Sequence, residues 1–215
     1  MKIYMLAGLG FDKRAFQNLE ITNADIYHLD WIEPLAHEQI AVYASRMIAQ
    51  QIKPEHREKE IIFIGHSFGG VLAQEIALQL PKTKLVILIS SIKSHQEKPL
   101  SMRYFFWLPI YWFITKWIIR RTVNIWSPWY GYKTKESRQL LLKMAMRFSN
   151  RYQRWASRTI SWWQAKSKPE DLRIVSIHGT KDRMFPYKNI APIKYPIKGA
   201  NHFMCYHEAE EVSKL

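Results

Sequence analysis

A glycine-rich pentapeptide supplies the first residues whose type and spacing suit chemistry at a carbonyl group. Residues 65–69, GHSFG, fit the pattern G-x-S-x-G, in which the glycines allow a sharp turn from a strand into a helix. The turn holds the serine hydroxyl above the sheet, and the start of the helix offers free N–H groups to a developing oxyanion. An apolar strand pattern at 60–64 precedes the motif and a helical pattern follows it, so Ser67 is a candidate nucleophile.

A histidine and an aspartate follow two later strand patterns. A serine hydroxyl is a weak nucleophile at neutral pH, so it needs a base, and the base needs an orienting carboxylate. Asp182 lies in a loop just after the apolar pattern at 173–177. His202 lies in the next such loop, after a weaker pattern at 193–197. The three candidates therefore occur in the chain order Ser67, Asp182, His202.

Other histidines and carboxylates compete for these roles. His66 occupies the variable position of the pentapeptide, His178 precedes a turn glycine, and His207 lies at the start of the predicted C-terminal helix. Glu170 and Asp171 precede a strand, so we expect them at the opposite edge of the sheet. These positions suit structural roles better than a catalytic one.

Two further reactive side chains also have structural interpretations. Asp12 is expected at a turn or at a helix N-cap, and Cys205, the single cysteine, is expected to be a small buried apolar residue. The sequence has no histidine, cysteine and carboxylate cluster with metal-ligand spacing, and residues 8–13, GLGFDK, do not fit G-x-G-x-x-G. We therefore expect neither a metal nor a cofactor.

The elements that must position these residues alternate between strand and helix. Apolar central strands between helices predict a mostly parallel sheet with helices on both faces. The predicted strands are 2–6, 26–29, 60–64, 85–89, 173–177 and the weaker 193–197, and the predicted helices are 36–52, 68–80 and 208–215.

With the motifs and their order in place, the sequence resembles the α/β-hydrolases, whose triad runs Ser, Asp or Glu, His. The resemblance covers residues 1–92 and 170–215, and it is closest to small bacterial hydrolases with a Gly-x-Ser-Phe-Gly-Gly turn. It implies that Ser67 is the nucleophile and His202 the general base and later acid. It also implies that Asp182 fixes the imidazole tautomer.

The same resemblance implies an oxyanion hole made of two backbone N–H groups. One belongs to Phe68, the residue after the nucleophile, and the other to the loop after the first strand. Leu9 is the expected donor in that loop. Many relatives have His-Gly there, whereas this chain has Ala-Gly at 7–8, so Gly10 is the alternative donor.

Charge divides the chain into two parts. The 32 Lys and Arg and 18 Asp and Glu give a net charge of +14. Residues 93–168, which we call the insert, carry this whole excess, with Glu97 and Glu136 as their acids, and hold eight of the nine tryptophans. The remainder, which we call the body (1–92 and 169–215), is electrically balanced. We therefore expect one hydrolase domain that carries a basic, Trp-rich insert.

The insert occupies the place where α/β-hydrolases usually carry a helical cap over the serine. Its patterns predict one helix at 110–121 and a longer helix from an N-cap at Thr134 through Trp155 or beyond. Aromatic residues on the inner face of such a cap would shape a pocket for an apolar acyl group. The residues expected to line the pocket are Trp107, Trp112 and Phe148.

A continuous second helix would place five cations beside its apolar stripe. An aromatic face flanked by cations is typical of a helix at a membrane surface, and contact with anionic lipid is one interpretation. A solvated basic face is the other. Nucleic acid is disfavoured, because the aromatic residues follow helical core spacing and no nucleic-acid-binding motif is present. The five cations are Lys143, Arg147, Arg151, Arg154 and Arg158.

The location follows from what the sequence lacks. One cysteine gives no internal disulfide, the N-terminal apolar run is too short for a secretory signal, and the longest uncharged run, 104–115, is too short to span a bilayer. We expect a cytoplasmic protein with possible peripheral membrane contact.

The function expected from these features is hydrolysis of an ester or thioester with an apolar acyl group through an acyl-enzyme, so the expected partner is a small-molecule substrate. The alternative class is a non-catalytic protein that uses a hydrolase scaffold to bind a lipid surface.

Overall fold

A six-stranded, fully parallel sheet lies at the centre of the computed structural model, which describes residues 1–104, 110–132, 134–190, 192 and 195–215. The strand order is β2-β1-β3-β4-β5-β6, and every neighbouring pair is parallel. The carboxyl ends of the strands therefore share one edge of the sheet. The strands are β1 (Lys2–Leu6), β2 (Asp25–Leu29), β3 (Ile61–His66), β4 (Thr83–Ile89), β5 (Arg173–Gly179) and β6 (Tyr195–Ile197).

Helices cover both faces of this sheet. The α-helices are α1 (Ile40–Gln51), α2 (Pro54–Arg57), α3 (Phe68–Ala77), α4 (Leu100–Tyr104), α5 (Lys116–Trp126), α6 (Lys135–Ala145), α7 (Asn150–Trp162), α8 (Met204–His207) and α9 (Ala209–Ser213). Short 3-10 helices lie at Lys13–Phe16, His95–Glu97, Ile110–Phe113, Ser127–Tyr130 and Tyr187–Asn189. Among the described residues, no helix is long and apolar enough to cross a membrane.

The alternation of side chains along the strands builds two cores. Tyr4 of β1 and Phe63 of β3 pack on one face with helices α1, α3 and α7. Met5 and Ile64, their chain neighbours, pack on the other face with the C-terminal helices. Because successive strand residues point to opposite faces, a strand that is buried on both faces reads as a continuous apolar run. The predicted fold class, a mostly parallel sheet with helices on both faces, is confirmed.

The prediction of a single first helix in the insert is wrong. The pattern at 110–121 predicts one helix, but the chain forms a 3-10 helix at Ile110–Phe113 and then α5. Thr115 has an extended backbone, and its hydroxyl accepts a hydrogen bond from the N–H of Ile118. Thr115 is thus an N-cap that starts a new helix, and α5 continues five residues beyond the predicted end.

The second predicted helix of the insert is interrupted. Thr134 is the N-cap of α6, as predicted, and its hydroxyl accepts from the N–H of Ser137 at 3.1 Å. The helix stops at Ala145, however, because Ser149 adopts an extended backbone and caps α7 through the N–H of Tyr152 at 2.9 Å. The break divides the five cations of the predicted basic face between two helices and a turn. At the C-terminus α9 lies within the helix predicted at 208–215, and α8 precedes it as a separate short helix.

Polar contacts join the insert to the body at several points. Arg147, in the turn after α6, forms an ion pair of 2.6 Å with Asp12. The indole N–H of Trp163 donates to the buried carboxylate of Glu75 at 2.8 Å, and Lys166 lies 3.3 Å from the same carboxylate. Part of the positive charge of the insert is therefore neutralised by carboxylates of the body.

Candidate active site

Ser67 lies in the sharp turn between β3 and α3 that the pentapeptide predicts. Its backbone has φ 52° and ψ −124°, a conformation that costs a side-chain-bearing residue about 1–3 kcal/mol. The turn is held by hydrogen bonds from the Ser67 N–H to the Ile89 carbonyl at 3.0 Å and from the Ser91 hydroxyl to the Ser67 carbonyl at 2.6 Å. These bonds maintain a strained serine at the carboxyl edge of the sheet.

The glycines around Ser67 are required by close approach of backbone to backbone. A Cβ on Gly65 would collide with the backbone of Gly70, and a Cβ on Gly69 would collide with the carbonyl oxygens of Leu6 and Ala7. Helix α3 can therefore start immediately beside the ends of β1 and β3 only if these positions are glycine.

The structure brings Ser67, His202 and Asp182 together in one hydrogen-bonded chain. His202 Nε2 lies 2.9 Å from Ser67 Oγ, and His202 Nδ1 lies 2.9 Å from Asp182 Oδ2. Asp182 accepts only, so Nδ1 must donate to it, which leaves Nε2 free to accept the serine proton. The other oxygen of Asp182 accepts from the backbone N–H groups of Met184 and Phe185. All three side chains are buried.

The surroundings of Asp182 favour its ionised form. Burial acts to raise the pKa of this carboxyl, but the positive charge that His202 can carry, the hydrogen bond from its ring and the neighbouring His178 together lower the pKa below its usual value. Asp182 is therefore a carboxylate at neutral pH, and it can both orient the imidazole ring and stabilise an imidazolium.

Two more histidines are buried beside this chain. His66 Nε2 donates to the backbone carbonyl of His202 at 3.0 Å, and burial lowers the pKa of His66 to about 3, so the ring is neutral. His178 Nε2 lies 2.8 Å from the carbonyl of Phe185 and 3.4 Å from Asp182, and burial lowers its pKa as well. Both contacts support the loops that carry His202 and Asp182. Sequence spacing gives no signal for them.

The predicted oxyanion donors, Phe68 and Leu9, both lie near Ser67. Phe68 is the first residue of α3, and the helix itself offers no acceptor to an N–H at that position. Leu9 lines the same cavity as Ser67 and His202. Its loop is closed by a hydrogen bond from Phe11 N–H to the Gly8 carbonyl at 3.0 Å, and the Trp31 indole donates to that carbonyl.

Gly10, the alternative donor, has a different environment. Its φ of 75° lies in the left-handed region, which favours glycine. A Cβ built on Gly10 would lie 3.6 Å from the side chain of Gln153 in the insert. Gly10 is not among the residues that line the cavity at Ser67. The placement of the loop therefore favours Leu9.

Asp12 and Cys205 occupy the structural positions that the sequence predicts. Asp12 is the N-cap of the 3-10 helix Lys13–Phe16 and accepts from the Arg14 N–H at 3.1 Å. Burial acts to raise its pKa, but hydrogen bonds from Arg14 and Arg147 dominate and lower it to about 2. Cys205 is fully buried, and burial raises its pKa, so the thiol is not reactive.

An apolar cavity of 280 Å³ opens beside Ser67 and His202. Most of its walls are aromatic or aliphatic, and both the body and the insert contribute. Its remaining lining residues are Leu9, Phe11, Met184 and Phe185 from the body and Met102, Trp126, Tyr130, Tyr132, Leu141, Ser157, Ile160 and Ser161 from the insert. A larger groove of 670 Å³ beside Glu75 and Trp163 contains none of the three hydrogen-bonded residues.

The aromatic residues predicted for the pocket are not the ones that line it. Trp107 lies outside the described residues. Trp112 is 58% exposed, because the chain turns at Thr115 and presents Trp112 to solvent, and Phe148 packs on Tyr152 with ring centres 4.8 Å apart. Neither of these two lines the cavity. Trp126, Tyr130 and Tyr132 line the cavity instead. They were not predicted there because the predicted helix boundaries were wrong.

A serine, a histidine and an aspartate that are hydrogen-bonded in this order, at the carboxyl edge of a parallel sheet, define the class of the α/β-hydrolases. A sequence model of the alpha/beta hydrolase family matches residues 3–215. The chain therefore belongs to this family, and its general role is that of a hydrolytic enzyme.

Solved structures with the same fold include several hydrolases. An esterase from Exiguobacterium antarcticum is 13% identical, with a TM-score of 0.74 over 100% of this chain and 89% of its own. MenH from S. aureus is 16% identical, with a TM-score of 0.72 over 100% and 91%. The RedJ thioesterase of the prodiginine pathway in Streptomyces coelicolor is 12% identical, with a TM-score of 0.64 over 100% and 89%. No curated protein sequence matches the chain.

Proposed function

We propose that the protein is a serine hydrolase that cleaves a carboxylic ester or thioester with an apolar acyl group. The observation that carries the proposal is the pair of 2.9 Å hydrogen bonds from Ser67 through His202 to Asp182, set at the wall of an apolar cavity. The family contains this chemistry, and solved structures with the same fold include an esterase and a thioesterase.

The geometry supports a two-step reaction through an acyl-enzyme. His202 Nε2 takes the proton of Ser67 Oγ as the oxygen attacks the carbonyl carbon, and it returns that proton to the leaving alcohol or thiol. The N–H groups of Phe68 and Leu9 would stabilise the oxyanion of each tetrahedral intermediate. Water then attacks the acyl-enzyme with His202 again as the base, which releases the acid and restores the serine.

The volume of the cavity limits the size of the acyl group that it could hold. A cavity of about 150 Å³ holds a molecule of benzene, so 280 Å³ suits an apolar group of roughly six to eleven carbon atoms. Its walls offer Ser157 and Ser161 as hydroxyl groups and otherwise apolar or aromatic surface. Medium-length acyl esters or thioesters are therefore the proposed substrate class.

The test is a chain-length series of p-nitrophenyl esters and the matching acyl thioesters. We expect kcat/KM to rise with acyl length up to the medium range and to fall beyond it, and Ser67→Ala to abolish turnover. Ser45→Ala, which changes an exposed serine on α1, is the control and should leave turnover unchanged. Hydrolysis that survives in Ser67→Ala would overturn the proposal.

A second candidate function, beside hydrolysis, is binding of an anionic lipid surface. The exposed aromatic and basic side chains of the insert favour it. If the protein has this function, the purified wild type and Ser67→Ala should bind anionic vesicles equally well.

A further inference from the structure

Four large apolar side chains are exposed between residues 112 and 125 of the insert. Trp112 is 58% exposed and Phe113 is 68% exposed, at the end of the 3-10 helix that leads into α5. Trp117 and Ile125, eight residues apart on α5, are 67% and 72% exposed. Eight residues is slightly more than two helical turns, so Trp117 and Ile125 share a face. Single exposed apolar residues are ordinary, but such a group marks a site of interaction.

Cations lie among these apolar side chains. Arg120 and Arg121 are exposed on the face of α5 that carries Trp117, and the Arg121 guanidinium lies 5.5 Å from the centre of the Trp117 ring. Arg154 of α7 lies 5.9 Å from the centre of the Trp112 ring. The Arg154–Trp112 contact joins α7 to the residues before α5, and the backbone N–H of Lys116, at the start of α5, donates to the side chain of Asn150 in α7 at 2.8 Å. The three segments are therefore adjacent.

Acidic side chains are almost absent from this region of the sequence. The insert contains Glu97, which is buried, and Glu136, which lies in the first turn of α6. The exposed face of α7 carries further arginines, Arg151 and Arg158. Arg151 lies 4.0 Å from Glu33 of the body, whereas α5 carries Lys116, Arg120 and Arg121 and no acidic residue.

We propose that this surface docks the protein on an anionic lipid bilayer. Tryptophan and phenylalanine enter the interface between lipid headgroups and acyl chains, while arginines alongside them contact anionic headgroups. The surface, which we call the docking face, consists of Trp112, Phe113, Trp117, Arg120, Arg121 and Ile125.

The chemistry of the docking face separates a bilayer from two other occupants. A second copy of the chain would bring the same arginines to a matching face, and like charges oppose that contact. Single-stranded nucleic acid stacks on aromatic rings, but the exposed aliphatic side chain of Ile125 offers it no stacking surface. A bilayer uses the apolar, aromatic and cationic side chains together.

The docking face is carried by the helix that also forms a wall of the cavity. In α5, Ile125 faces solvent while its neighbour Trp126 lines the cavity at Ser67. Docking would therefore hold the cavity walls close to the lipid surface, where an apolar acyl substrate would be concentrated. The docking proposal does not depend on the proposed hydrolase activity, because it concerns residues outside the cavity.

The test uses the full chain and vesicles of phosphatidylcholine with or without phosphatidylserine, measured by co-sedimentation over a salt series. Each basic residue near an anionic surface contributes about 1 kcal/mol, so Arg120→Ala with Arg121→Ala should weaken binding by roughly 20–30-fold. Trp117→Ala should also weaken binding by roughly tenfold or more. The charge-matched control is Lys59→Ala with Lys82→Ala, two exposed lysines at the amino edge of the sheet.

The outcomes are distinct. Binding that requires phosphatidylserine, falls with salt, and is lost in the docking-face variants but not in the control would support the proposal. Binding that is equal for variants and control, or that is absent or insensitive to lipid charge, would overturn it. Selective binding of a single-stranded oligonucleotide through the same residues would assign the face to nucleic acid instead. Turnover of a soluble ester by the same variants reports the hydrolase activity separately.

Discussion

The body and the insert use charge for different purposes. In the body, ionised groups near Ser67 are buried and paired, as with Asp182, which contacts His202 and two backbone N–H groups. In the insert, cations greatly outnumber acids. Arg147 and Lys166 attach the insert to body carboxylates, whereas Arg120 and Arg121 face solvent. Net charge alone therefore does not distinguish attachment of the insert from a surface for a partner.

The largest effect on the body should come from the carboxylate that orients the base. Asp182→Asn cannot hold His202 in the tautomer whose Nε2 accepts a proton, so we expect kcat for ester hydrolysis to fall by about 10⁴-fold. Asp171→Asn, an exposed aspartate before β5, is the matched control and should retain full activity. A loss below about tenfold in Asp182→Asn would show that Asp182 does not orient the base.

In the insert, the largest effect should be on selectivity. Trp126→Ala enlarges the cavity, and a change of one methylene in an apolar pocket alters kcat/KM by roughly 10–200-fold, so the preferred acyl chain should become longer by several carbons. The control is Trp162→Ala, on the exposed face of α7, which should leave the chain-length profile unchanged. The same profile in both variants would show that the cavity does not hold the acyl group.

The ion pairs of Asp12, with Arg14 in the body and Arg147 in the insert, should appear in stability at low pH. Asp12 has its pKa lowered from 3.8 to about 2, which corresponds to roughly 2 kcal/mol of native stability. Because the pKa is lowered in the folded state, this stability is complete above pH 4 and is lost as the pH falls towards 2. Asp182 contributes in the same direction.

Asp12→Asn should therefore be less stable at neutral pH, and its melting temperature should depend less on pH between 4 and 2. The measurement is a set of thermal melts of the wild type, Asp12→Asn and the exposed control Asp30→Asn. If the melting temperature of Asp12→Asn depended on pH as steeply as that of the wild type, the pairing of Asp12 with Arg14 and Arg147 would not be maintained in solution.

The body was predictable because local signals and tertiary structure agree there. The apolar runs that predict strands are buried on both faces, and the predicted turn at Ser67 is the one in the structure. Ser67, Asp182 and His202 each follow a strand in the sequence. Because the strands are parallel, all three residues lie at one edge of the sheet. The supporting contacts of His66 and His178 could not be predicted, because they depend on how neighbouring loops pack.

The insert was less predictable because single capping residues interrupt helices where the apolar pattern continues. Thr115 and Ser149 each start a helix where the periodicity predicts an uninterrupted one. A polar side chain that accepts a backbone N–H fixes the boundary, and the pattern on either side does not reveal it. The lining of the cavity follows from these boundaries, which is why Trp112 and Phe148 were predicted there in place of Trp126.

The proposed hydrolase mechanism depends most directly on the reactivity of Ser67. Incubation with a fluorophosphonate, followed by proteolysis and mass spectrometry, locates any phosphonylated residue. We expect one modified peptide, which contains Ser67, and no modification in His202→Ala, which keeps the serine but removes its base. Labelling of another residue, or no labelling of the folded wild-type protein, would contradict it.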